Sequence, residues 1–168
     1  MSVAVKLIDP TQNEFLAELE AKAKRPNTFF RAMANRPEAL KNYVPFYISV
    51  AGRGSVERRV KSLVDVTCAY ANECAFCIAA DAAAAKKAGV TEEELRWIQT
   101  EQDQNFAEKE RAAIRYAREL TQTADAEETR AALAEHFTSE QIVEITLLAG
   151  LANLNNRFNN GLKILPEA

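Results

Sequence analysis

Apolar side chains recur at helical spacing along almost the whole chain, and residues that begin or end helices separate one pattern from the next. Phe15, Leu16 and Leu19 form the first apolar face, in a segment that ends near Lys24. The pattern predicts nine helical segments. They begin at or just after Asp9, Asn27, Pro37, Ser55, Cys74, Thr91, Asn105, Ala126 and Thr138.

Several of the predicted helix boundaries rest on specific residues. The helix over Ala75–Ala88 should stop at Gly89, because glycine adopts the left-handed conformation that closes a helix. Thr91 and Glu94 then match a capping box, and the last helix is long, reaching about Leu162. Thirty alanines against five glycines and five prolines leave few turns, so we predict an all-α fold.

The segment that begins at Ser55 has an apolar face and a charged face. Its predicted inward positions are Val56, Val60, Leu63, Val64 and Thr67. Its predicted outward positions are Glu57, Arg58, Arg59 and Lys61. Later in the chain, the alanine run 82–85 is interpreted as a packing surface, because small side chains let neighbouring helices approach closely.

The net charge and the apolar content of the sequence limit the kinds of partner that the protein is expected to bind. A net charge of −3 and a pI near 5.4 give no positive field for phosphate backbones or anionic lipid, so neither nucleic acid nor a membrane is expected as partner. Apolar runs such as 145–152 are far shorter than the roughly 18 residues of a membrane span. Residues 1–10 contain Lys6 and Asp9 and do not resemble a signal peptide, so we expect a cytoplasmic protein.

Two of the three cysteines, Cys74 and Cys77, form a C-x-x-C at the predicted start of a helix. That spacing permits a reversible disulfide, and a helix N-terminus favours the nucleophilic thiolate. The alternative is that both are small buried apolar residues, as we expect for Cys68. With His136 as the single histidine, a metal site is disfavoured, because only Asp81 lies close to the pair as a further ligand. No metal or cofactor is therefore expected.

The sequence around the cysteine pair resembles the AhpD-like alkylhydroperoxidases of the carboxymuconolactone decarboxylase superfamily. The resemblance is carried by 72–81 (Asn-Glu-Cys-Ala-Phe-Cys-Ile-Ala-Ala-Asp), the alanine-rich helix that follows, Lys86-Lys87-Ala88-Gly89-Val90 and the Thr-Glu-Glu-Glu-Leu start at 91. It extends from Pro37-Glu38-Ala39-Leu40 to Asn156-Arg157-Phe158-Asn159-Asn160. It implies an AhpD-like helical bundle, with one domain over 1–168 and residues 1–25 as an N-terminal helical extension.

The resemblance also implies an activity and partners. Cys77 would attack a hydroperoxide or another small-molecule substrate, Cys74 would resolve the product, and a dithiol or lipoyl reductant would reopen the disulfide. The chain would assemble as a homo-oligomer, a trimer or hexamer. Two proton-handling residues of the family pattern are missing, since its histidine is Asp81 here and its glutamate is Ser62.

The histidine replacement matters because an ionised carboxylate one turn from Cys77 opposes formation of the thiolate. Asp81 could instead act as a general base if burial raised its pKa toward 7, or it could do no chemistry and bond Arg157 or a lysine. Asp65 is a candidate substitute for the missing glutamate. Glu73 is interpreted as a solvated loop residue.

Asparagines crowd the end of the last helix, although asparagine is a mediocre helix former. They are Asn153, Asn155, Asn156, Asn159 and Asn160. They could form a subunit-facing or pocket-facing polar surface or simply be hydrated.

The sequence as a whole predicts a thiol-disulfide oxidoreductase of the peroxidase type. Two alternatives stay open: a cofactor-free lyase of the decarboxylase type, in which the cysteines are bystanders, and a noncatalytic oligomeric redox sensor.

Overall fold

The computed structural model describes residues 3–166, and in this range the chain is helical without a strand. The helices are α1 (Glu14–Ala23), α2 (Thr28–Met33), α3 (Pro37–Ala51), α4 (Arg58–Ala71), α5 (Ala75–Lys87), α6 (Glu92–Gln99), α7 (Glu108–Thr123), α8 (Arg130–His136) and α9 (Ser139–Leu162). Two 3₁₀ turns lie at Pro10–Gln12 and Asp103–Asn105. The all-α prediction is confirmed.

Helix α4 lies at the centre of the bundle and packs against α5, α7 and α9. The predicted inward positions are buried, with Val60, Leu63 and Val64 at most 1% exposed. Such burial of branched apolar side chains from one helix on three neighbours is the main source of helix stability in a bundle. Helix α5, which has the cysteine pair at its start, therefore packs directly on this central helix.

The first helices form a separate apolar cluster beside this core. Leu16 of α1 is fully buried against Phe29, Met33 and Leu40. The single-domain prediction over 1–168 includes residues 1–2 and 167–168, which lie outside the described residues.

Lys61 is a correction to the sequence-based prediction, which placed it on the outward face of α4. It is 5% exposed, and its ammonium donates to the carbonyls of Val50 at 3.0 Å and Gly52 at 2.7 Å and pairs with the Glu144 carboxylate. The carbonyls at the end of α3 need donors once they are covered, and the lysine supplies them. Hydrophobic periodicity carries no information about such a contact.

The predicted helix start at Asp9 is a 3₁₀ turn, and α1 itself begins at Glu14, because the Asn13 side chain caps it by accepting from the N–H of Leu16 at 3.0 Å. Three further predicted boundaries shift for identifiable reasons. Helix α4 begins at Arg58 rather than Ser55, because Ser55 donates both its N–H and its hydroxyl to Glu144, each at 2.8 Å. Helix α7 begins at Glu108, because Phe106 is extended and packs edge-on against Trp97.

The third shift is at α8, which begins at Arg130 instead of Ala126. The Glu119 carboxylate accepts from the amides of Glu128 at 3.1 Å and Thr129 at 3.0 Å, and it thereby holds this stretch as a turn.

The alanine run 82–85 packs only in part. Ala85 is fully buried and Ala82 packs against the same cluster, whereas Ala83 and Ala84 are exposed.

Large apolar side chains are exposed mainly on α3 and α9. They are Phe46, Tyr47, Ile48, Val143, Leu147 and Leu154. The homo-oligomer stays a prediction.

We expect Lys61→Met to lower the free energy of unfolding by about 3 kcal/mol, because it leaves the Glu144 carboxylate without its cation in a mostly buried place. Urea denaturation checks this. Lys41→Met is the matched control, since Lys41 pairs with Glu38 at the surface and its loss should cost less than about 0.5 kcal/mol. Equal losses for the two variants would contradict the role given to Lys61.

Candidate active site

The turn at residues 72–74 joins α4 to α5 and fixes the start of the site. Glu73 adopts the left-handed conformation, with φ of 51°. Its N–H donates to the carbonyl of Tyr70 and the N–H of Cys74 donates to the carbonyl of Ala69, each at 3.0 Å. This is the hydrogen-bond pattern of a Schellman motif, which closes α4 and sends the chain back at once.

Cys74 is both the last residue of this closing motif and the N-cap of α5. Its sulfur accepts from the backbone N–H of Cys77 at 3.3 Å. The two cysteines form a disulfide, and their Cα atoms are 5.2 Å apart. The pair therefore lies at the N-terminus of a helix of 13 residues, where free N–H groups favour a thiolate once the bond is reduced.

A cavity of about 220 Å³ opens against one side of the pair. Cys77 borders it, whereas Cys74 is fully buried behind Cys77 and does not. Five aromatic side chains from α2, α3 and α5 form much of its wall: Phe29, Phe30, Tyr43, Tyr47 and Phe76. The sequence left open whether those of residues 29 to 47 fill the core or line a pocket; the structure shows that Phe29 does both.

Two carboxyl groups, Asp81 of α5 and Asp65 of α4, face this cavity. Burial raises the pKa of Asp81 to about 7. Burial and the neighbouring Asp81 charge also raise the pKa of Asp65 well above its usual range, against the opposing effect of Lys61. Two acids that share a low-dielectric site resist double ionisation, so the pair retains a proton near neutral pH.

Amide side chains of α9 also line the cavity. Asn159 donates from Nδ2 to the Cys77 sulfur at 3.2 Å. Asn155 accepts the Tyr43 hydroxyl at 2.8 Å. Asn156 accepts from Asn72, the residue that begins the turn before Cys74, at 2.9 Å. For these three asparagines the pocket-facing alternative holds.

Comparison with known proteins gives the family. Residues 37–119 match the model of the carboxymuconolactone decarboxylase family. The uncharacterized protein YnjA of Escherichia coli K12 is 33% identical in an alignment of 131 positions that covers 71% of this chain and 71% of that protein. The chain belongs to the carboxymuconolactone decarboxylase family.

Solved structures with the same fold include AhpD-like members. The alkylhydroperoxidase AhpD core protein of Ralstonia eutropha JMP134, an uncharacterized peroxidase-related protein, superimposes with a TM-score of 0.85 at 18% identity over 98% of this chain and 92% of that one. The debrominase Bmp8 superimposes with a TM-score of 0.84 at 18% identity over 100% of this chain and 94% of that one. The AhpD-like resemblance is confirmed.

Within this carboxymuconolactone decarboxylase family member, the remaining predicted residues are spread around the fold. Asp81 borders the cavity with Cys77, as does Asp65. Ser62 is half-buried on α4 and lies away from the cavity lining, Glu73 is exposed, and His136 is half-buried at the end of α8. None of these last three borders the cavity.

Arg157 has a different partner from the one considered, whereas Cys68 is buried as predicted. The Arg157 guanidinium donates to Asn153 at 3.0 Å, and within residues 3–166 no ion pair joins it to Asp81. Cys68 is fully buried, and burial raises the pKa of its thiol to about 12, which makes it inert. Within residues 3–166 no group of three or more His, Cys, Asp or Glu side chains could hold a metal, and no helix is long and apolar enough to span a bilayer.

Sequence reasoning missed the contact between Asn159 and Cys77. The excess of asparagine was visible, but the sequence does not show which of the five amides faces the sulfur across 82 positions. Helical spacing does place 152, 155, 156 and 159 on one face, and all four border the cavity.

The raised pKa of Asp81 makes stability depend on pH. An aspartate in the unfolded chain titrates near 4, whereas Asp81 in the folded protein titrates at about 7. The folded state therefore binds more protons between these values, and the free energy of unfolding should fall as pH rises from 4 to 7. We expect Asp81→Asn to remove about 1–2 kcal/mol of this fall, as measured by urea denaturation across that range.

Glu73→Gln is the control, because this neighbouring carboxylate is exposed. It should leave the shape of the profile unchanged. An Asp81→Asn profile parallel to that of the wild type would show that Asp81 does not titrate in this range.

Proposed function

We propose that the protein is a thiol-disulfide oxidoreductase that reduces a hydroperoxide with Cys77 and closes a disulfide with Cys74. One observation carries this proposal: the C-x-x-C pair is placed so that Cys77 alone faces the cavity, with Cys74 directly behind it. This is the division of labour that an attacking and a resolving cysteine need.

In the first step the Cys77 thiolate attacks the terminal oxygen of the hydroperoxide. The S–O bond forms as the O–O bond breaks, which oxidises the sulfur to a sulfenic acid and releases an alkoxide. The helix N-terminus and the Asn159 amide both stabilise the thiolate before attack.

The alkoxide needs a proton as it leaves, and the carboxyl pair supplies it. Asp81 lies one helical turn after Cys77, and burial keeps its pKa at about 7. A carboxyl group at this pKa is matched to proton transfer at neutral pH. The Asp65 carboxyl lies in the same cavity and limits how far Asp81 ionises. The two aspartates together thereby replace the family's missing histidine and glutamate in proton transfer.

The second step returns the enzyme to its disulfide. The Cys74 sulfur attacks the sulfenic sulfur, a water molecule leaves, and the disulfide closes. An external dithiol, such as a dihydrolipoyl group, then reopens the bond by thiol-disulfide exchange and is itself oxidised to a disulfide. The aromatic walls of the cavity favour a hydroperoxide with a bulky apolar group.

The fold alone does not determine the reaction, since the debrominase Bmp8 shares it. The two alternative functions, a lyase and a redox sensor, predict different behaviour of the cysteines. A decarboxylase-type lyase would stay active when both cysteines are serine. A noncatalytic redox sensor would form the disulfide but would not turn over with a supplied dithiol.

We expect Cys77→Ser to abolish consumption of cumene hydroperoxide in the presence of a dithiol. Cys74→Ser should still react once and should retain a sulfenic acid on Cys77, which dimedone labels and mass spectrometry locates. Cys68→Ser is the matched control and should keep its activity, because Cys68 is buried away from the cavity. Labelling of Cys74 in a Cys77→Ser variant would reverse the two assigned roles.

The proton-transfer role predicts opposite effects for two substitutions of Asp81. Asp81→Asn should lower the rate of peroxide reduction by about 10- to 100-fold, since the amide has no proton to give to the leaving alkoxide. Asp81→His should raise the rate above that of the wild type, because it restores the imidazole of the family pattern. Steady-state rates measured from pH 5 to 9 check both, and an Asp81→Asn variant faster than the wild type would show that this carboxylate only repels the thiolate.

A further inference from the structure

The two ends of the Asn159 side chain have different surroundings. Its Nδ2 donates to the Cys77 sulfur at 3.2 Å. Its Oδ1 is buried and has no hydrogen-bond partner among residues 3–166. Asn159 is 1% exposed and borders the cavity.

A buried amide oxygen without a donor carries the full cost of losing its water. Such an atom beside a reactive group points to a donor that arrives with the ligand. The neighbouring amides differ in this respect, because Asn155 already accepts from Tyr43 and Asn156 already accepts from Asn72.

The backbone holds Asn159 in place at the end of α9. Its carbonyl accepts from the N–H of Ile164 at 2.9 Å, and Ile164 is 2% exposed. The side chain is thus fixed from its own helix end and from the Cys77 sulfur, so Oδ1 cannot turn to solvent without breaking the contact with the sulfur.

Building on the proposed peroxidase function, we propose that Asn159 positions the substrate: its Nδ2 holds the Cys77 sulfur while its Oδ1 accepts the O–H of the hydroperoxide. One amide then sets the distance between the nucleophile and the oxygen it attacks. Holding both reactants in this way replaces a random encounter by a fixed approach.

The chemistry of this contact is consistent through the step. The oxygen that bears the hydrogen is the terminal oxygen, which is the one that sulfur attacks. When the S–O bond forms and the O–O bond breaks, that oxygen and its hydrogen stay on sulfur as the sulfenic acid, while the alkoxide takes a proton from Asp81 and leaves as the alcohol. The hydrogen bond to Oδ1 therefore persists from substrate to intermediate.

This arrangement defines a substrate class. A hydroperoxide carries the O–H that Oδ1 requires, whereas a disulfide oxidises the same thiolate without any such hydrogen. Asn159 should therefore matter more for hydroperoxides than for disulfides.

The test compares two oxidants of the reduced protein in single turnover. Cumene hydroperoxide is followed by formation of its alcohol, and 5,5′-dithiobis(2-nitrobenzoate) by release of its coloured thiolate. Asn159→Leu should slow the disulfide reaction several-fold, because the thiolate loses the Nδ2 donor, and should slow the hydroperoxide reaction at least tenfold more. Asn42→Ala is the control, since Asn42 is exposed on α3 and its amide donates to the carbonyl of Glu38 in the same helix, and both reactions should stay near the wild-type rate.

Asn159→Ala is measured beside Asn159→Leu, and circular dichroism checks that each variant is folded. If one variant has a folding defect, the rates of the other test the proposal. Equal losses for the two oxidants would overturn the positioning role while leaving the proposed function intact. A wild-type protein that reacts with the disulfide but not with the hydroperoxide would overturn the proposed function itself.

Discussion

The turn between α4 and α5 is the constraint on which the rest of the site depends. Cys74 closes one helix as the last residue of its Schellman motif and caps the next, so its backbone has no freedom to move away from Cys77. Helix α4, which carries this turn, is packed on three sides by α5, α7 and α9. The bundle core thus fixes the position of the sulfur atoms.

Electrostatics then sets the chemistry that this geometry allows. A helix N-terminus and a hydrogen-bonding amide favour negative charge on the Cys77 sulfur, while two carboxyl groups in the same cavity oppose it. Because the two half-buried carboxyls share one cavity, they retain a proton near neutral pH and oppose the thiolate less than two free aspartates would. In the proposed mechanism the site therefore combines a nucleophile and an acid without an imidazole.

Much of the fold could be predicted from the sequence, because helix caps and hydrophobic spacing are local properties. The capping box at Thr91, the start of the last helix after Thr138 and the stop at Gly89 lie where the sequence places them. The prediction that Lys61 lies on the outward face of α4 was wrong for a non-local reason, since its partners come from the end of α3 and from α9. The cysteine pair was recognisable from its spacing, and the resemblance to the family made Asp81 and Asp65 candidates. The position of Asn159 at the cavity, in contrast, depends on how the helices meet around it.

The central claim is that Cys77 is the reactive thiol because it alone faces the cavity. Alkylation of the reduced protein with limiting iodoacetamide, followed by mass spectrometry of the peptides, tests this claim most directly. The account predicts that Cys77 is modified at least tenfold faster than Cys74 at neutral pH. Faster modification of Cys74, or equal rates at the two cysteines, would contradict it.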